Sequence, residues 1–216
     1  MNLSIKPSKR SALKALLAAA SLALLPLVSH AADPSTPDGL IRQLSIETLE
    51  AVKADKAIQA GDTNKIVTLV DTKVMPHVNF QRMTSSAVGR FWRQASPEQQ
   101  KRLQDEFKTL LVRTYAGALS QVKDQTIALK PLRASAEDTE VVVKTEVRGK
   151  GDPIQLDYRL EKSGAVWKIY DVNVLGIWLA DQYRNSFAQE IGANGIDGLI
   201  KALAVKNQKA AAGAKS

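Results

Sequence analysis

EVVVKTEVRGKGDPIQLDYRLEKSGAVWKIYDVNVL, from Glu140 to Leu175, decides the fold. Its period is two. Ile154, Leu156, Tyr158 and Leu160 alternate with Gln155, Asp157, Arg159 and Glu161; before them Val141, Val143 and Val147 alternate with Lys144 and Glu146. Such alternation gives a strand one apolar and one polar face. It predicts strands over Glu140–Arg148, Pro153–Leu160 and Val166–Leu175, and Thr126–Leu132 just upstream adds a fourth. The connections SAED, GKGD and KSG are short and turn-like, so the four strands should be consecutive antiparallel neighbours.

A sheet with one apolar face needs a cover, and only helices are available to supply it. Working upstream, Ser96-Pro97-Glu98-Gln99 reads as a capping box with proline at the first helical position. Behind it Leu103, Phe107, Leu110, Leu111, Tyr115, Leu119 and Val122 form one apolar stripe about six turns long. In the preceding RFWR, Phe91 and Trp92 are expected to seal the turn that feeds this helix. Earlier still, Ile41, Leu44, Leu49 and Val52 predict a helix from Leu40 to Ala60, ended by Gly61. Asp62 caps a second helix through Ile66, Val70 and Val74 that Pro76 stops, and a third covers Phe80–Val88. A last helix is expected from Ile177 to Ala204. The fold class is therefore α+β: helices packed on one face of a twisted, mainly antiparallel four-stranded sheet.

The first 31 residues stand apart. Lys6, Lys9, Arg10 and Lys14 precede an apolar run from Ala15 to Val28, then Ser29-His30-Ala31. A basic start, a short apolar centre and small residues at the cut describe a secretory signal peptide ending at Ala31. About 14 apolar residues are too few to span a bilayer. Residues 32–205 then form one domain, and the lysine-bearing residues 206–216 are expected to be a disordered tail. The net charge of +8 is unevenly placed: between Ala32 and Ile200, 22 Lys and Arg face 22 Asp and Glu. A neutral body is not the footprint of a nucleic-acid binder.

Chemistry is sparse. With no cysteine and His77 alone after the leader, neither disulfides nor a zinc site is expected. No GxSxG elbow and no glycine-rich phosphate loop is present. Asp157 and Asp171 could approach each other on neighbouring strands as a carboxylate pair, but are expected to be solvated acids on the outer face of the sheet.

Two stretches carry a resemblance. VMPHVNFQRMTSSAVGRFWRQASPEQQKRLQDEFKTLLVRTYAGAL (Val74–Leu119), and WKIYDVNVLGIWLADQYRNSF (Trp167–Phe187) followed by GIDGLIKAL (Gly195–Leu203), resemble the MlaC, or toluene-tolerance, family of periplasmic phospholipid-binding proteins. Asn79 stands where the family has Asp, and Ala87 where a larger aliphatic residue is common.

The resemblance implies a monomeric soluble carrier without catalytic activity or cofactor, its bound phospholipid being cargo. It implies a hydrophobic lipid pocket between sheet and helices. Its partners would be an outer-membrane lipoprotein–porin complex and an inner-membrane ABC transporter with a lipid-binding ring, and its role the maintenance of outer-membrane lipid asymmetry. By position the pocket includes Tyr115, Ile154 and Ile177; alternation and helical spacing add Leu111, Val143, Leu156, Tyr158, Trp167 and Val174. Two other readings stay open: a lipid-modifying or small-molecule enzyme in a cone-shaped α+β fold, and an adaptor that binds protein through its basic tail.

Overall fold

A computed structural model describes residues 33–135 and 137–213. The expected leader therefore lies outside the described residues. Helix α1 (Pro37–Ala54) starts at Thr36, whose hydroxyl accepts from the Gly39 amide, and buries Leu40, Ile41, Leu44 and Val52 on one stripe. The single helix expected up to Ala60 breaks at Asp55. Its extended backbone ends α1, and its carboxylate caps the one-turn α2 (Lys56–Gln59). Asp62 caps α3 (Thr63–Leu69) as expected, accepting from Asn64 and Lys65, after which the chain widens into a π-turn and tightens again at Met75–His77.

Helix α4 (Phe80–Val88) is followed by a tight turn through Phe91 and Trp92, both half-buried against the helical core. Helix α5 (Pro97–Ser120) opens with the expected reciprocal cap: Gln99 N donates to Ser96 Oγ at 3.1 Å and Ser96 N to Gln99 Oε1 at 3.0 Å.

The sheet has five strands, not four: β1 (Thr126–Leu129), β2 (Glu140–Arg148), β3 (Ile154–Ser163), β4 (Val166–Val174) and β5 (Ile177–Trp178), in that spatial order and all antiparallel. The extra strand arises because the chain does not enter the last helix at Ile177. Leu175 and Gly176, both at positive φ (52° and 90°), make a two-residue hairpin instead. At its other end β4 meets Val78, in parallel. The β4 edge is thus covered at both ends by short pieces of chain, which removes an open template for aggregation.

Strand β4 also carries a bulge. Arg159 pairs with Asp171 but Leu160 pairs with Ile169, leaving Tyr170 extra. Without it, Trp167 and Ile169 would face away from Val172 and Val174; with it, all four share the inner face.

Helix α6 (Leu179–Gly213) reverses at Gly195, whose φ of 71° lies outside the helical region. It continues through residues 206–213, so the expected disordered tail is ordered that far: Asn207 is buried, and its Nδ2 donates to the Glu106 carbonyl on α5 at 3.0 Å. That anchor lies between two helices, so it cannot be read from a lysine- and alanine-rich segment.

Among the described residues, the apolar contacts of the helices with the sheet fall on its inner face. Helix α1 packs Leu40, Ile41 and Leu44 on Val141, Val143, Leu160 and Ile169. A second core joins α4, α5 and α6 and reaches the sheet at Val172 and Val174. Its centre is Phe107, fully buried, with the rings of Tyr183 and Phe187 edge-on at 5.1 and 5.2 Å.

Candidate functional site

The register arranges the inner face in rows across the strands. The first row, Val141–Leu160–Ile169, is buried throughout. In the next, Val143 is fully buried while Tyr158 and Val172 are half-buried. The third runs Leu129–Thr145–Leu156–Val174–Ile177, and the last is Ile127–Val147–Ile154. Cover thins along this series. Ile177 is 55% exposed and Ile154 46%, and Leu175 at the hairpin tip reaches 66%. Three of the exposed large hydrophobics among the described residues thus gather at one end of the sheet. Apolar residues exposed singly mean little, but neighbours in register form a patch.

The helical cover of the sheet is divided between two cores that share Val78 and Val172. Helix α1 lies over β1, β2 and the Leu160–Ile169 end of β3 and β4, while α4 and α6 lie over the Val172–Val174 end of β4. Leu156, on the central strand β3, belongs to neither core although it is half-buried. It marks the floor of an apolar seam with Tyr158 on one side and Val174 on the other. The helical wall beyond Val174 holds Leu111 and Tyr115 of α5 with Tyr183 of α6.

Of the nine residues singled out in the sequence, the structure brings Ile154, Leu156, Val174 and Ile177 together at the open end, with Tyr158 one row deeper. Leu111 and Tyr115 stand in the same core as Val174. Val143 is closed over by α1, and Trp167 sits at the far end of β4, about 20 Å along the strand from Val174 at ~3.3 Å per residue. Val147, Leu175 and Tyr183 complete the seam and were not singled out. Tyr183 was readable: with Phe187 and Ile191 it makes an i, i+4, i+8 stripe.

Three phenols border the seam, and all are held neutral. Burial pushes Tyr158 up to about 12, against the effect of hydroxyl contacts from Ser45 and Thr145. Burial raises Tyr115 too, with Tyr183 nearby adding to it, and raises Tyr183 against a bond to Thr114. Neutral phenols suit an apolar wall, offering a ring to hydrocarbon and a hydroxyl to a polar group.

On the outer face the expected solvated acids are buried instead. Asp157 Oδ1 accepts from Thr145 N at 3.2 Å and Oδ2 from Gln155 Nε2 at 2.7 Å. Asp171, 1% exposed, accepts from Val172 N at 2.9 Å, Ala180 N at 3.1 Å and Arg159 Nη1 at 3.0 Å. Burial raises the Asp171 carboxyl, opposed by the two amides and Arg159. Arg159 in turn lies over the Trp178 ring at 3.9 Å. Both carboxylates are occupied in tying backbone segments together. Among the described residues no group of three or more acids and histidines could hold a metal ion, and no helix is long and apolar enough to cross a membrane.

Residues 42–205 match the family described as MlaC protein. Among curated relatives, the toluene tolerance protein ttg2D of Pseudomonas putida is 29% identical over 177 residues, covering 82% of this chain and 81% of its own length. The intermembrane phospholipid transport system binding protein MlaC of Haemophilus influenzae is 24% identical, covering 77% and 79%. A solved structure, the phospholipid-binding protein of Ralstonia solanacearum in complex with a phospholipid, superposes with a TM-score of 0.78 at 46% identity, covering 81% of this chain and 98% of that one. A family match over most of the chain, with the fold in agreement, means that this chain belongs to the MlaC family.

Proposed function

We propose that this protein is a phospholipid carrier whose acyl chains occupy the seam over β3. The observation that carries the proposal is Leu156, half-buried at the centre of the sheet yet claimed by neither core, in a chain 46% identical to one solved with a phospholipid bound. Leu156, Tyr158 and Val174 would contact the chains from the sheet, and Leu111 and Tyr115 from the helices. Ile154 and Ile177 form the mouth; Val143 and Trp167 belong to the packed end that closes the seam.

The energetics demand an enclosed site. Each methylene removed from water is worth about 0.8 kcal/mol, so two chains of roughly 30 methylenes together represent on the order of 25 kcal/mol. An open groove loses to a bilayer on that scale, whereas a lined seam makes transfer nearly isoenergetic. Direction must then come from the membranes or complexes at either end, since a carrier in equilibrium with both has none of its own.

In this reading the leader is removed on export, the carrier works in the periplasm, and it exchanges cargo between an outer-membrane lipoprotein–porin complex and an inner-membrane ABC transporter, maintaining lipid asymmetry. No reaction is assigned to it; the two buried aspartates serve as structural acceptors.

Native mass spectrometry of the processed protein tests the core of the proposal. The expected result is a mass increment of one phospholipid, retained in the parent and lost in Ile154→Asp. Protein that is lipid-free as isolated and takes up none from vesicles would defeat it.

A further inference from the structure

We infer that the groove at the reversal of α6 is a docking site for an anionic membrane surface, separate from the seam. The sequence concentrates charge here. The body from Ala32 to Ile200 is neutral, whereas Lys201, Lys206, Lys209 and Lys215 follow with no acid among them.

The structure turns that bias into a surface. After Gly195 the helix buries Leu199, Ile200, Leu203 and Asn207, so Lys201, Ala202, Val205, Lys206 and Lys209 point outward. Together with Gly198, and with Glu190 and Asn194 from the other side of the bend, they line a groove of about 700 Å³. Glu190 is the one acid in that lining, and its carboxylate is engaged by Asn194 Nδ2 at 2.7 Å. Among the described residues, lysines at 73, 101, 108 and 130 pair with carboxylates, but Lys201, Lys206 and Lys209 do not.

Three unpaired ammonium groups on one helix face, with the exposed Val205 between them, fit a plane of mobile anionic headgroups better than a single ion. Flexible lysine stems follow headgroups wherever they lie, whereas a small anion needs fixed donors. The helix does not insert, because its apolar side is already buried in the protein. The contact is therefore electrostatic, worth on the order of fivefold in affinity per lysine and weakened by salt. On an otherwise neutral body it would hold this end of the molecule against the bilayer and fix its orientation.

Co-sedimentation of processed protein, purified from cells expressing the full chain, with phosphatidylcholine vesicles and with vesicles containing phosphatidylglycerol tests this. Binding should require phosphatidylglycerol, fall as salt rises, and drop about a hundredfold in Lys201→Glu/Lys206→Glu/Lys209→Glu. The Arg triple variant should bind as the parent does. Cargo in the charge-reversed variant, read by native mass spectrometry, should be unchanged, which separates this contact from lipid carriage. Equal binding to both vesicle types, or full binding by the charge-reversed variant, overturns the inference. So does a charge-reversed variant that binds vesicles normally but no longer exchanges cargo with membranes carrying their own proteins, which would assign the groove to a protein partner.

Discussion

The buried carboxylate of Asp171 accepts the backbone amide of Ala180 at 3.1 Å, so the first turn of α6 is tied to the middle of β4 by a side chain nine residues earlier. That bond spans the outer face, but what it positions is inside: Ile177 and Tyr183 lie on either side of the tie and line the seam. Replacing Asp171 by Ala strands the Ala180 amide and leaves Arg159 without its nearest acid. The expected loss is about 2–4 kcal/mol, below the full cost of a broken buried ion pair because Arg159 keeps Asp181 at 3.8 Å and partial contact with water. Urea denaturation measures it; a loss under about 0.5 kcal/mol, the scatter of surface substitutions, would show that the tie is unimportant.

Leu156 gives the sharpest test of where cargo lies. Leu156→Trp should fill the floor of the seam without stranding a polar group in a packed core. Bound phospholipid should fall severalfold while the thermal midpoint holds or rises. If the variant loses a large fraction of its stability and keeps its cargo, Leu156 is ordinary core and the seam is elsewhere.

Tyr158 sets an alkaline limit. Its folded value of about 12 lies above the ~10 of an exposed phenol, so the neutral form is favoured by folding. That contribution is fully present below about pH 10 and is lost as pH rises through the folded value. Tyr158→Phe cannot ionise, so its stability should decline less between about pH 10 and 12 than that of the parent, when both are followed by urea midpoints. Parallel pH profiles would assign the alkaline loss to other groups.

Asn207 holds the last turns of α6 through Nδ2 bonds to Glu106 O at 3.0 Å and Glu106 Oε2 at 2.7 Å. Asn207→Ala should cost about 1–2 kcal/mol and speed amide exchange from Lys206 onward, leaving α5 protected. Unchanged exchange there would mean that the helix persists without its anchor.

What could be read from the sequence follows the range of the forces involved. Ser96 and Gln99 bond within one turn, and the alternation from Val141 to Leu160 reports a face directly, so α5 and the central strands were legible. Asp55 was a local signal passed over: an aspartate inside an apolar periodicity is a poor helix former and a good cap. Features resting on distant partners could not be read. Asp171 looks like any outward-facing acid until Ala180 is brought beneath it, and the bulge at Tyr170 exists only in the pairing with β3. For the candidate site, alternation identified the correct face but not how the cover is divided along it. Val143 and Leu156 are equivalent by pattern, yet α1 closes over one and leaves the other between two cores.

The sheet order has a kinetic corollary. Because the five strands lie side by side in the order in which they occur in the chain, every pairing joins neighbours in sequence, and such local pairing favours fast zippering. The helical cover is different: α1, α4 and α5 precede the sheet, and α6, which supplies Tyr183 and Phe187, is the last segment of all. The cover beside Leu156 and Val174 is therefore completed only when the C-terminal helix docks, and until then those apolar side chains stand open to whatever amphiphile is nearest.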